Sequence, residues 1–170
     1  MTGRTYNLTR KPQEKYFIRL LLQLFMDEFD FVSPLDYRYY KKEFAVFLSE
    51  NARIKYQAKV EAALVKAISK QGVCSASVVL EVEKAAQKIT AALVYEEEKK
   101  TKHDVRALVN VLRKNVSENA RPFVHLGATS YDIVDTANAL RFKDATKKLL
   151  LPKLISLERA WVKVALKHKD

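Results

Sequence analysis

Cysteine, glycine and proline are all scarce in this chain: Cys74 stands alone, with three glycines and four prolines in 170 residues. A single cysteine excludes an internal disulfide framework and a cysteine-based metal cluster, and it points to a reducing, intracellular setting. So few glycines and prolines leave too few turns for an all-β protein, and an all-α fold is expected. The longest apolar run, Leu20 to Met26, is interrupted by Gln23 and is far too short to span a bilayer. The sequence also lacks a glycine-rich phosphate loop, a Gly-x-Ser-x-Gly nucleophile turn and any His/Cys/Asp/Glu set at metal-ligand spacing. No metal and no cofactor are expected.

What is present is globular in character, with 48% hydrophobic and 30% charged residues. The length suits one domain, or one domain and the beginning of another. The formal charge of +11 is spread rather than clustered. Lysines alternate with glutamates, as in "EVEKAAQK" and "EEEKKTK", and no finger, RRM or KH motif accompanies them. A solvated helical surface is therefore expected rather than a nucleic-acid interface, and the positive field can concentrate a small polyanionic substrate. The first 26 residues are basic, with Arg4, Arg10, Lys11, Lys15 and Arg19 against Glu14 alone. An organelle leader and a short amphipathic helix both fit that pattern, but no cleavage motif of small residues follows. A cytoplasmic location is expected.

Five or six helices can be traced from the periodicity. Pro12 opens a largely apolar segment to about Glu28, and the aromatic "DFVSPLDYRYYKKEF" then breaks the period. From about Ser49 to Lys70, Val60, Ala63, Leu64, Ala67 and Ile68 recur at helical spacing and predict the buried face, with Gly72 as the stop. Residues 77–100 read as helix with a break near Lys88. Thr101 and Asp104 form a T-x-x-D capping pattern ahead of the apolar face Val105, Leu108, Val109, Leu112 and Val116. Thr129 and Asp132 repeat that pattern before Ile133, Val134, Ala137 and Leu140. Pro152 is expected to start the last helix, whose Leu154, Ile155, Leu157, Trp161, Val162, Val164 and Leu166 cover more than one face. More polypeptide or other subunits should pack on that surface.

Chemistry-bearing side chains are few. His103, with Lys102 before it and Asp104 after it, stands at a helix start, where backbone N–H groups and cations together can hold an anion; a surface histidine beside a cap is the plainer reading. His125 precedes a glycine in a loop and reads as structural, while His168, between lysines, reads as solvent exposed. Arg38 and Tyr39 can grip a phosphate through a guanidinium fork and a phenol, or Tyr37, Tyr39 and Tyr40 can simply cover a core edge. Thr129 and Ser130 offer hydroxyls and unpaired N–H groups, a carboxylate site that many helix starts share.

Taken together and in order, "SPLDYRY" (33–39), "TKHDV" (101–105) and "VHLGATSYDIVDTA" (124–137) resemble the adenylosuccinate lyases of the fumarase/aspartase superfamily. "ARIKYQAKVEAALVKA" (52–67) is similar to that family's first long helix. The likeness runs from about Ser33 to Asp170. It implies three parts: an extension over 1–32, an N-terminal helical lyase domain over 33–128, and the start of a central helical bundle over 129–170. It also implies a homotetrameric enzyme of purine biosynthesis that eliminates fumarate from adenylosuccinate, giving AMP, and from the succinylated carboxamide ribotide. By position, Arg38 and Tyr39 match the family's phosphate-holding pair. Lys102, His103 and Asp104 match its substrate-contact segment, with His103 the catalytic candidate, and Thr129 and Ser130 match the pair that contacts the succinyl portion.

Two departures accompany the likeness. Tyr37 stands where many members have glycine. The family's second active-site histidine, in a Thr-His motif, and its Ser-Ser-x-Met-Pro loop are absent from these 170 residues, and His168 follows lysine rather than threonine. The chain alone is therefore expected to be almost inactive. A non-catalytic truncated paralogue that binds nucleotide or pairs with lyase subunits is the alternative, and a basic helical nucleic-acid binder a more distant one.

Overall fold

Side-chain caps and alanine-rich stretches set the element boundaries. The computed structural model describes residues 27–169; the apolar segment from Pro12 falls almost wholly outside them. Asp27 caps a 3₁₀ turn at Glu28–Asp30, after which the aromatic stretch forms two short helices, α1 (Asp36–Tyr39) and α2 (Lys42–Leu48). Ser49 then caps the long α3 (Glu50–Lys70), its Oγ accepting from the Ala52 backbone N–H at 3.2 Å. Gly72, at φ +77°, supplies the left-handed turn after α3 that glycine adopts without strain. The hairpin partner α4 (Ala76–Lys88) follows, then α5 (Ala91–Thr101) and α6 (Asp104–Lys114). The break expected near Lys88 is present. No strand occurs among the described residues, so the all-α expectation holds.

The core lies among α3 to α6. Ile54, Ala58 and Val65 of α3 meet Val79 and Val82 of α4, Val94 of α5 and the apolar face Val105, Leu108, Val109 and Leu112 of α6. Buried Asn51 locks the periphery to this core: its amide donates to Asp27 and Asp30 at 2.9 and 3.0 Å, and its carbonyl oxygen accepts from the Ala91 N–H that opens α5. The buried face of α3 is not the expected one. Ala52, Ile54, Ala58, Ala62 and Val65 face inward together with Gln57 and Glu61, while Ala63 and Ala67 are exposed and Val60, Leu64 and Ile68 are only partly covered. An alanine-rich helix has weak amphipathicity, so its neighbours choose the inward face.

Helix α7 (Ser130–Ala145) packs Ile133 and Ala137 inward. It continues without a break through a π-helical turn at Thr146–Leu150 into α8 (Leu151–Lys167). Pro152 sits in the first turn of α8, as expected, but α8 continues α7 in a helical rod roughly 55 Å long. Proline has no N–H and its ring crowds the carbonyl four residues back. The turn before it is widened, the Leu151 N–H reaching back five residues to the Thr146 carbonyl. Tyr56 and Lys148 both donate to Asp144, tying α7 to α3, and Lys153 pairs with Glu43 of α2 at 2.7 Å. No residue of α8 is buried. No described helix is long and apolar enough to cross a membrane.

Candidate functional site

The α5–α6 corner is a sharp reversal made by two residues. Lys102 takes the left-handed conformation at φ +52°, its N–H bonded to the Glu98 carbonyl at 2.8 Å, and so ends α5. His103 returns to extended backbone and caps α6. The expected capping role of Thr101 passes to His103, whose Nδ1 accepts from the Arg106 N–H at 3.4 Å, while Asp104 is the first residue of α6 and accepts from the Val105 N–H at 2.7 Å. Thr101 instead donates to the His103 carbonyl, because α5 still includes it. An accepting Nδ1 puts the proton of neutral His103 on Nε2, on a side chain that is 52% exposed. Asp104 Oδ1 lies 3.4 Å from the same nitrogen.

Behind this corner an open cleft of about 510 Å³ is lined by Lys102, His103, Asp104, Glu50, Arg53 and Tyr95, with Glu98 at its edge. Arg53 donates to Glu50 at 2.8 Å and reaches Asp104 at 3.6 Å, and the Tyr95 hydroxyl donates to Glu50 at 2.7 Å. Burial alone would push the Glu50 carboxyl up, but the hydrogen bonds from Tyr95 and Arg53 outweigh it and hold Glu50 below the ordinary carboxylate range. Glu50 thus stays ionised and keeps Arg53 directed at the corner. Arg141 of α7 acts on the same carboxylate, and burial lowers the pKa of its guanidinium.

The second candidate segment is anchored from below. Glu61 is fully buried, and its Oε1 lies 2.6 Å from His125 Nδ1. His125 adopts φ +63°, a conformation uncommon outside glycine, two residues before Gly127 at φ +73°. Arg113 donates to the adjacent Val124 carbonyl at 3.0 Å. Burial pushes the Glu61 carboxyl up, and the nearby His125 and Arg113 oppose that rise without cancelling it. Glu61 Oε2 and Gln57 Nε2 have no hydrogen-bond partner among the described residues. His125 is therefore structural, as expected, but its partner was not foreseen. From this anchored turn the chain enters α7, where the expected capping box forms. Asp132 accepts from the Thr129 N–H at 2.8 Å and from its hydroxyl at 3.0 Å.

Arg53, Gln57 and Glu61 recur every fourth residue on one face of α3 and carry the two segments: Arg53 the corner at His103, Glu61 the turn ahead of Thr129 and Ser130. Their spacing sets the two about eight residues apart along the helix, roughly 12 Å. Arg38 and Tyr39 sit exposed on α1, outside the cleft lining. Sequence reasoning missed Glu50, Arg53, Tyr95 and Glu61. The available signal was the polar i, i+4, i+8 stripe on α3, which passes for a solvent face until the neighbouring helices are known. No group of three or more His, Cys, Asp or Glu side chains suited to a metal occurs among the described residues.

Comparison with known proteins places this chain among lyases. The lyase family model matches residues 37–170. The adenylosuccinate lyase of Archaeoglobus fulgidus is 40% identical over 139 residues, which cover 82% of this chain and 30% of that protein. That of Methanocaldococcus jannaschii is 39% identical over 140 residues, covering 81% and 30%. Among solved structures, a fumarate lyase from Mesorhizobium superposes with a TM-score of 0.66 at 25% identity, over 76% of this chain and 30% of that one. The chain thus spans 30% of the length of each of these two relatives.

Proposed function

The chain belongs to the lyase family, and on that footing we propose that it forms the substrate-holding part of an adenylosuccinate lyase. The reaction is a β-elimination from adenylosuccinate, leaving AMP and fumarate, and equally from the succinylated carboxamide ribotide. A base takes a proton from the succinyl carbon, that C–H electron pair becomes the fumarate double bond, and the C–N bond breaks onto nitrogen, which takes up a proton. The observation that carries the reading is the α5–α6 corner: His103 caps α6 through Nδ1 at a helix N-terminus, and its exposed side chain lines one cleft with Lys102 and Asp104.

In this reading His103 is the catalytic candidate, with Lys102 and Asp104 contacting substrate beside it. Thr129 and Ser130 offer the α7 N-terminus to a succinyl carboxylate, Asp132 holding Thr129 in place. Arg38 and Tyr39 take the phosphate. The segment 33–128 is the N-terminal lyase domain and 129–170 belongs to a bundle shared by subunits of a tetramer, with the exposed face of α8 as its contact.

Binding and turnover separate the parts of this proposal. Adenylosuccinate added to the 15N-labelled chain should shift the amide signals of Lys102, His103, Thr129 and Ser130. His103→Ala and a Thr129→Ala/Ser130→Ala pair should each weaken binding about tenfold, the order of one charge-assisted or paired hydrogen-bond loss. Turnover of adenylosuccinate by the 170-residue chain should stay at trace level. Elimination needs both an acid and a base, each typically contributing about 10²–10⁴-fold, and His103 can be only one of them. Absence of shifts at those amides, or robust fumarate release by the chain alone, would sink the assignment.

A further inference from the structure

The face of α3 turned away from this site carries a second concentration of positive charge. At about 100° per residue, Lys55, Lys59 and Lys66 project opposite to Arg53, Gln57 and Glu61. They rim a cleft of about 600 Å³ between α3 and α4, floored by Ala62, Ala63 and Ala86, with Gln87 and Glu83 of α4 completing the lining. Glu83, the carboxylate in its lining, is already paired with Lys66 at 3.2 Å. Lys59 lies 5.9 Å from the Tyr56 ring centroid and acts on Asp144, a carboxylate already taken by Tyr56 and Lys148. Lys55 forms no ion pair among the described residues.

Lys55 and Lys59 are an i, i+4 pair of like charge, and Lys66 and Lys70 are another; such pairs destabilise a helix unless an anion intervenes. The floor is the opposite in character: alanine methyls present no polar atom and let a flat apolar group approach both helices closely. An apolar floor with a cationic rim matches a ligand that has a flat ring at one end and phosphates at the other. The volume falls within the range of small-molecule sites. Lys55 and Lys66 stand roughly 16 Å apart along α3, the reach of an extended nucleotide. Lysine serves well as a point charge for phosphate. We propose that this cleft binds a nucleoside polyphosphate, with the base on the alanine floor and the phosphates at Lys55 and Lys59. It lies on the other side of α3 from His103 and does not depend on the lyase reading.

The test is a titration of the 15N-labelled 170-residue chain with ATP, adenosine, inorganic triphosphate and a short oligoribonucleotide. ATP should shift the amides of Lys55, Lys59, Ala63 and Ala86 and saturate below about 1 mM. Adenosine and triphosphate alone should each bind at least about fivefold more weakly than ATP, since each keeps only one part of the match. Lys55→Glu/Lys59→Glu should lose affinity by about tenfold or more at an unchanged circular-dichroism melt. Should the reversal variant fail to fold, Lys55→Gln/Lys59→Gln removes the charges more gently and should show the same loss. Equal affinity for ATP and triphosphate, tighter binding of the oligoribonucleotide, or ATP shifts confined to the region of Lys102, His103 and Thr129 would each overturn the proposal.

Discussion

At the scale of single residues, the Glu61–His125 pair decides the shape of the turn that leads into α7. A buried carboxylate without a partner is strongly unfavourable, and here the partner comes from a loop 64 residues away in sequence. The pair therefore fastens that loop to α3. His125→Asn separates this role from backbone strain, because asparagine tolerates positive φ. Its expected effect is a loss of about 3 kcal/mol in urea unfolding at neutral pH, the cost of leaving a buried charge unpaired. The sign of the pH dependence follows from the Glu61 carboxyl, which burial holds above its ordinary 4.5. The stability tied to that raised value is fully present below 4.5 and is lost as pH rises through the folded value. Removing His125 takes away a neighbour that opposes the rise, so the variant's deficit should be small at acid pH and grow toward neutrality. A deficit of equal size at all pH values would exclude the charge pair as its cause.

Among elements, the rod from α7 to α8 shows how a proline is absorbed rather than obeyed. Its missing N–H and bulky ring are met by one widened turn, and the helical backbone continues. Pro152→Ala removes the reason for the widening. Thr146–Leu150 should then relax to α-helical hydrogen bonding, seen as slower amide exchange there and a melting temperature raised by a few degrees, on the order of 1 kcal/mol. Unchanged exchange across Thr146–Leu150 would mean that packing, not Pro152, sets the π turn. The relaxed register would also rotate α8 relative to α7, so the same substitution should disturb any contact made by both halves of the rod.

On the scale of the whole molecule, α8 is the conspicuous imbalance. Leu154, Ile155, Leu157, Val162, Val164 and Leu166 are exposed, and Trp161 is 68% exposed. An apolar surface of this kind is the place where further polypeptide or another subunit would pack. Self-association through α8 is expected in sedimentation velocity. Trp161→Glu should weaken it about tenfold or more, since buried aromatics dominate such interfaces. A native chain that stays monomeric across the concentration range would rule out α8 as the contact between copies.

Some of this was determined by the sequence alone. Scarcity of glycine and proline, together with the helical spacing around Leu108 and Ile133, was enough for an all-α fold, because periodicity and turn content are local properties. The Thr129–Asp132 cap was legible for the same reason, its partners lying three residues apart. The segments around His103 and Thr129 could be singled out as motifs. Their support could not. Which face of α3 turns inward depends on helices 20 to 80 residues distant along the chain, and an alanine-rich sequence leaves that choice to them. Only the tertiary structure put Arg53 against Asp104, Glu61 against His125 and Lys55, Lys59 and Lys66 around a cleft, since burial and long-range charge pairing are properties of the packed chain and not of its local order.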